Sequence, residues 1–532
     1  MTLNNILELM KEINEQIELG LFVDAMENSL KALYEVKKKK EEKEFYYHQL
    51  FILSGYFADI GHLTENYPDF DSREKASTIS LDLLNKNKDT FLQLFEEHTY
   101  YYFLANAKSN FISEKDPLRQ NFKTIEELIE HKSILWQAIK SCKGNEPLQY
   151  KTNLANSLKQ QCRIVEALKF YDNVNGTGHD IPQALVNRSS SLELLHRISN
   201  NFSIQLLAEI RGGYLKASKS YTIPSDFRDF YLTKASYYDE KIKEICETEN
   251  ISLDQEDHLT QSEYDSLSDY RKFCLDNHLS LSEHGLYCKC IGSARDELTI
   301  PTVGGVVGDF VLPMEKLLNR MKSEFSLARK LYFDYLTESE DELYYDSAFS
   351  QLDDFEILGI DVEKMRTSFR LCFGILDKIG IGICEMFDLY PNRGEVYFHN
   401  FWRLSSDNRL EKFNKIINPG LIALYSIATD LNEHKNGEWS FFKEYRNSLE
   451  HQYVVLFEGV SEDFIRQQYS DFKFKKEIIY IENGEFVENL RMLLQLTRSA
   501  IFSFVYAIRS HALSQEKDDK KLYVPLPIEK QD

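Results

Sequence analysis

The stretch "KEYRNSLEHQYVV", from Lys443 to Val455, holds three residue types that together could break a phosphodiester without a metal. An imidazole titrating near neutrality can move a proton, a guanidinium can grip a phosphate with two parallel hydrogen bonds, and a carboxamide can orient either group. Here they are His451, Arg446 and Asn447. On a helix, Asn447 and His451 are four apart and share a face, whereas Arg446 and His451 are five apart and diverge by about 140°. Arg446 and Glu450 are also four apart, so a surface ion pair worth about a few tenths of a kcal/mol is the competing reading. An Arg shortly before a His arises easily in a chain with 13 histidines. Arg393 precedes His399 by six in "RGEVYFH", but Gly394 and the β-prone "VYF" make that stretch a poor helix. "RNSLEH", by contrast, sits on an expected helix with apolar flanks, behind the loop "NEHKNGEW".

Charge bounds what such a site could meet. The formal net charge of −22 opposes non-specific binding to nucleic acid, which is driven chiefly by attraction to phosphates. Around the motif the excess disappears. Between Phe401 and His451, Arg403, Arg409, Lys412, Lys415, Lys435, Lys443 and Arg446 are matched one for one by Asp407, Glu411, Asp430, Glu433, Glu438, Glu444 and Glu450. A locally neutral segment in an acidic molecule permits an anionic substrate without requiring one.

The elements that must position these residues are expected to be helical. The chain has 532 residues with only 22 Gly and 11 Pro, too few for the frequent turns of a sandwich or barrel, and its length exceeds one ordinary core. Hydrophobic residues at 43% and charged residues at 28% suit a globular protein. The amphipathic, acidic "MTLNNILELMKEINEQ" lacks the basic start and apolar block of an export signal, and no apolar run reaches the length that spans a bilayer. Cys142, Cys162, Cys246, Cys274, Cys288, Cys290, Cys372 and Cys384 are dispersed as reduced thiols usually are, so a cytoplasmic location without membrane association is expected.

In the first part, "LANSLKQQCRIVEALKFYDNV" has the spacing of a tetratricopeptide (TPR) repeat: Leu154 and Ala155 on one helix, Cys162 at the turn, Ala167 and Tyr171 on the next. "LGLFVDAMENSLKAL" echoes it more weakly, with Gly20 and Ala25 as far apart as Cys162 and Ala167, and a generic helical bundle is the competing reading. Polar "ENISLDQEDHLTQSEYDSLSD" and Gly-rich "ELTIPTVGGVVGDFVLP" then read as connecting structure. Beyond them, Met314, Leu317, Leu318, Met321, Phe325, Ala328, Tyr332 and Tyr335 mark a long helix with Pro313 in its first turn. Val362, Met365, Phe369, Cys372 and Leu376 mark a second, Leu421 to Leu431 a third and Phe441 to Phe457 a fourth. "FKKEIIYIENGEF" reads as a short β-hairpin turning at Asn483 and Gly484. A closing helix carries Phe486, Leu490, Leu493, Leu496, Ala500, Phe504 and Ile508 inward.

These residues resemble the HEPN superfamily (higher eukaryotes and prokaryotes nucleotide-binding), whose signature is Arg, a polar residue such as Asn, and His after four to six intervening residues. "YRKFCLDNHLSL" from Tyr270 and "MKSEFSLARKLYF" from Met321 resemble segments of its prokaryotic subgroup with TPR-like repeats ahead of the bundle. The resemblance implies an all-α chain: a TPR-like helical repeat domain over 1–247, a connecting region over 248–309, a HEPN helical bundle with a small β-hairpin insertion over 310–514, and a flexible tail over 515–532. It also implies a metal-independent endoribonuclease in which the ribose 2′-hydroxyl attacks the adjacent phosphate and a 2′,3′-cyclic phosphate is left. In that scheme His451 is the general base or acid, Arg446 holds the scissile phosphate, and Asn447 orients the phosphate or the imidazole. A homodimer through the HEPN bundle brings two motifs together, RNA is the substrate, and a protein partner or trigger acts at the array, an organisation suited to phage defence or a growth-arresting toxin. No cofactor or metal is implied. The alternative is a non-catalytic TPR/HEPN module that binds protein or RNA.

Other signals read as structural. Glu324 and Arg329 lie on the first bundle helix and are expected to support the fold. Cys274, His278, His284, Cys288 and Cys290 are numerous enough for zinc, but their spacing fits no standard pattern, so core thiols and surface imidazoles are expected. Gly304, Gly305 and Gly308 lack the Lys and Ser or Thr of a phosphate loop.

Overall fold

The computed structural model describes residues 1–63, 72–144, 147–201, 203–250, 257–302, 308–337, 355–391, 394–451 and 453–514; of residues 72, 73, 249, 257–260, 450 and 451 it describes the backbone alone. Gly304, Gly305, Arg393, the acidic stretch from Glu338 and the tail over 515–532 lie outside. Among the described residues no helix is long and apolar enough to cross a membrane. The chain forms two compact units, Met1–Gln161 and Cys162 onward.

The first unit is a run of helices in which most pack on the next: α1 (Leu3–Glu18), α2 (Phe22–Lys37), α3 (Lys43–Leu63), α4 (Ser72–Lys86), α5 (Lys88–Leu94), α6 (Glu97–Ser109), α7 (Ile125–Lys140) and α8 (Leu148–Gln160). Ile6, Leu9, Met10 and Ile13 recur at helical steps and form the buried stripe of α1, whose first turn is capped by the Thr2 hydroxyl accepting from the Asn5 N–H. Phe51 of α3 stacks on Phe95 and Phe103 and meets Phe91 edge-on. Gly55, one turn further on, leaves room for the Phe103 ring, which a Cβ would approach to 3.0 Å. The two positions singled out by repeat spacing share a backbone conformation: Gly20 (φ 72°) precedes α2, Cys162 (φ 60°) precedes the next helix, and Ala25 and Ala167, five residues on, are fully buried. Gly tolerates the left-handed region freely; Cys162 bears its steric cost.

The second unit begins with α9 (Ile164–Asn175), α10 (Pro182–Ser199), α11 (Ile204–Ser218), α12 (Ser225–Glu249), α13 (Asp257–Asp265) and α14 (Asp269–Asp276). Helices α9 and α10 therefore group by contact with the C-terminal bundle, and both touch its last helix. The bundle contains α15 (Val311–Leu336), α16 (Ile360–Phe387), α17 (Asp407–Asn414), α18 (Pro419–Asp430), α19 (Phe442–His451), strand β1 (Tyr453–Phe457), α20 (Glu462–Gln468), strand β2 (Ile478–Glu482) and α21 (Asn483–Ser514). The predicted periodic faces of α16 and α21 are buried, and so is that of α15 except for Leu317 and Tyr335, which are half-buried. Helices α15, α16 and α18 all pack on α21, which spans about 48 Å at 1.5 Å per residue.

Two expectations are corrected. The fourth helix ends at His451, not Phe457, because "YVVLF" is rich in β-branched and aromatic residues and pairs as a strand. The hairpin is not formed either: β1 and β2 run parallel, Tyr453 opposite Ile478 through Phe457 opposite Glu482, joined by a crossover that includes α20. Asn483 and Gly484 open α21 instead of turning a hairpin, since the Glu482 carboxylate accepts from the Glu485 N–H, 2.9 Å away, and caps the helix. Val455, Phe457, Ile465, Ile478 and Tyr480 share a small core beneath the ribbon.

The two stretches that carry the resemblance meet in this unit. Arg329 of α15 is buried and ion-paired with Asp296 at 2.7 Å, and donates to the Tyr270 hydroxyl and the Leu279 carbonyl. Glu324 receives Lys378 of α16 at 2.9 Å.

Candidate active site on helix α19

The motif helix is placed by the one before it. Asn418 caps α18, accepting from Leu421 N–H at 3.0 Å and donating to the Ala507 carbonyl of α21 at 2.8 Å. At Gly420 a Cβ would lie 2.3 Å from the Ala507 nitrogen, so α18 rests on the α21 backbone itself. The chain then turns back through Asn436 (φ 50°) and Gly437, where a Cβ would come within 2.2 Å of the Thr429 carbonyl. Trp439 N–H donates to the Asp430 carbonyl at 2.9 Å, and α19 starts three residues later.

Helix α19 is amphipathic. Phe442 and Ser448 are fully buried, the Phe442 ring lying 5.7 Å from Phe369 of α16, and the Tyr445 hydroxyl donates to Glu485 at 3.2 Å. On its outer side Asn447 is exposed, while Arg446 is held loosely. The Arg446 guanidinium lies 5.6 Å from the Phe373 ring and 3.5 Å from the Asp377 carboxylate, both on α16, and 23% of its side chain remains exposed. At 3.5 Å the contact is an ion pair without a tight hydrogen bond, so among the described residues the donors of Arg446 stay largely available. His451 is the last residue of α19; its side chain, like that of Glu450, is outside the described set. Arg446 and Asn447 are thus on one short helix at the bundle surface.

Spacing did not reveal two neighbours. Asp377 pairs with Arg446 and also accepts from Phe398 N–H at 3.0 Å, tying α19, α16 and the following loop together. His399, a poor candidate by local sequence, comes near the motif after all. Burial, reinforced by the charges of Lys443, Arg446 and His434, pushes its pKa down to about 4, so it is a neutral imidazole at physiological pH. Its sequence signal is only a histidine in the aromatic stretch "VYFHNFW" well ahead of α19, and nothing in that signal fixes the distance.

The other flank of α19 faces a cleft of about 730 Å³, lined by Glu444 and Tyr445 together with Arg466, Ser470, Lys475, Lys476, Glu477 and the strand residues Ile478, Ile479 and Tyr480. Arg466 lies over the Tyr480 ring at 4.6 Å. Cations and aromatic faces side by side are the groups that hold a phosphate backbone and its bases.

Long helices pack on a central last helix, a short motif helix presents Arg446 and Asn447 at the surface, and the C-terminal part of the chain carries a HEPN domain. Residues 308–511 match the family model of the LA2681-like HEPN domain. Neither a curated protein nor a solved structure matches the chain significantly. HEPN domains are associated in general with RNA and its cleavage.

Proposed function

We propose that the protein is a metal-independent endoribonuclease of the HEPN type, controlled by the helical array of its first unit. The observation that carries this reading is the state of Arg446: placed on α19 next to Asn447, partly exposed, and with one loose carboxylate contact among the described residues, to Asp377. A guanidinium committed to packing can satisfy more of its donors, as those of Arg329 and Arg509 in the same unit do. In the proposed reaction the 2′-hydroxyl oxygen bonds to the adjacent phosphorus as its proton passes to one imidazole, the 5′-oxygen leaves with a proton, and a 2′,3′-cyclic phosphate remains. His451 supplies proton transfer, Arg446 stabilises charge growing on the phosphate, and Asn447 orients it. A homodimer supplies the second motif, the TPR-like array receives a protein partner or trigger, and defence against phage or toxin-type growth arrest is the setting this control suits.

The test is cleavage of a mixed RNA pool in EDTA by the full chain and by His451→Ala, with product ends identified. Cyclic phosphate ends from wild type, lost in a folded mutant, are expected. Cleavage unchanged in His451→Ala, or persistent inactivity both with and without the first unit, would overturn the enzyme in favour of a binding module.

A further inference from the structure

Between α14 and α15 the chain has little regular structure, yet its core is tightly anchored. Leu279, Leu281, Leu298 and Ile300 are buried, the Ser280 hydroxyl donates to the Ser293 carbonyl at 2.7 Å, and Glu283 receives the buried Arg509 of α21 at 2.7 Å. Directly after Glu283 a short 3-10 turn, His284–Leu286, brings His284 back over Cys288 and Cys290. The ligand atoms of these three side chains all lie within 4.8 Å of one another, the one such grouping of His, Cys, Asp or Glu among the described residues. Of the five candidates in the sequence, Cys274 instead lies in the core and His278 is not part of the group.

We propose that His284, Cys288 and Cys290 form a zinc site that clips this segment to the bundle. Two features beyond proximity support it, one of the imidazole and one of the thiols. The Tyr287 hydroxyl donates to the Ser203 hydroxyl at 3.0 Å and so meets His284 Nδ1, 3.2 Å away, as an acceptor. That fixes the imidazole with its proton on Nδ1 and leaves Nε2 with a lone pair, the arrangement by which metal-bound histidines are oriented. Cys288 and Cys290 place two soft sulfurs beside that lone pair, so a soft divalent ion could bond to sulfur and nitrogen at once. Binding releases the two thiol protons. Glu209 of α11 is held by Arg188 and is not one of the group, so water would complete a tetrahedral zinc held by the three side chains. None of these groups belongs to α19, so the site stands independently of the ribonuclease reading.

The experiment uses the reduced full chain, purified without added metal and dialysed, with metal content measured by mass spectrometry and cobalt titrated into the metal-stripped protein. About one zinc per chain and thiolate-to-cobalt charge-transfer bands are expected. Cys288→Ser and Cys290→Ser should each lower the bound metal at least about 10-fold, whereas Cys246→Ser should not. Sub-stoichiometric metal with no charge-transfer bands in reduced wild type, or bands that survive Cys288→Ser with Cys290→Ser combined, would overturn the proposal. The cobalt spectrum of wild type decides the matter even if the serine variants fail to fold.

Discussion

Three buried arginines of the second unit and Arg446 share one chemistry in opposite surroundings. Arg163, Arg329 and Arg509 are buried, and meet Asp430 at 2.6 Å, Asp296 at 2.7 Å and Glu283 at 2.7 Å. Each has further partners: Arg163 binds Glu166 and Ser426, Arg329 binds Tyr270 and Leu279, and Arg509 binds the carbonyls of Ser199 and Ile300. Among the described residues Arg446 has one carboxylate at 3.5 Å and the face of one ring, and part of it stays open to solvent. A guanidinium removed from water must fill its donors from the protein, because an unpaired buried charge costs several kcal/mol; one left at the surface need not. The difference separates an arginine committed to holding helices together from one that can still take up a phosphate.

The largest effect is expected where the commitment is deepest. Asp296→Ala strands Arg329 and should cost about 3–5 kcal/mol in denaturant unfolding; a loss below about 1 kcal/mol would erase the distinction. Arg446→Ala should do the reverse, changing stability by no more than about 1 kcal/mol while lowering RNA cleavage by about 10²–10³-fold. Arg446→Lys should recover only part of that loss, since an ammonium cannot reproduce a two-pronged grip on phosphate. Next is pH. His278, pushed to about 3 chiefly by burial and then by Arg498 and Lys169, and His399, pushed to about 4, are both neutral in the folded chain. The unfolded chain takes up protons first, below about pH 6.5, so stability is full above that value and falls as pH drops toward 4 and then 3. His399→Gln should flatten the upper part of this loss in pH-dependent melts. The smallest effect is local: removing a neighbouring cation by Arg446→Ala should raise the His399 pKa measured by NMR, while burial keeps it below its ordinary value.

The sequence made the long helices legible because burial repeats at helical steps: Met314 to Tyr332, Val362 to Leu376 and Phe486 to Ile508 all proved inward-facing. It misled where one segment admitted two local readings. "YVVLF" continues an apolar pattern that a helix could also use, and only its distant parallel partner decides for a strand; "NG" suits a turn until Glu482 caps a helix over it. Arg446 and Asn447 were legible as chemistry, whereas Asp377 and His399 were not, because charge pairing across helices follows from packing and leaves no periodic trace. The Cys and His residues were visible as a set; which three converge depends on a 3-10 turn that no spacing rule encodes.

The close seat of Gly420 on α21 has a mechanical consequence. With Ala507 N and Ser503 O within 2.5 Å of where a Cβ would be, the gap between the helices admits backbone and nothing larger. Sliding either helix by one residue would drive a side chain into that gap, so the contact acts as a latch on axial register. Whatever displaces α21 along its length therefore carries α18 with it, and through the Trp439 to Asp430 bond pulls on the root of α19. The last helix is in this sense a push-rod, with the motif at its working end.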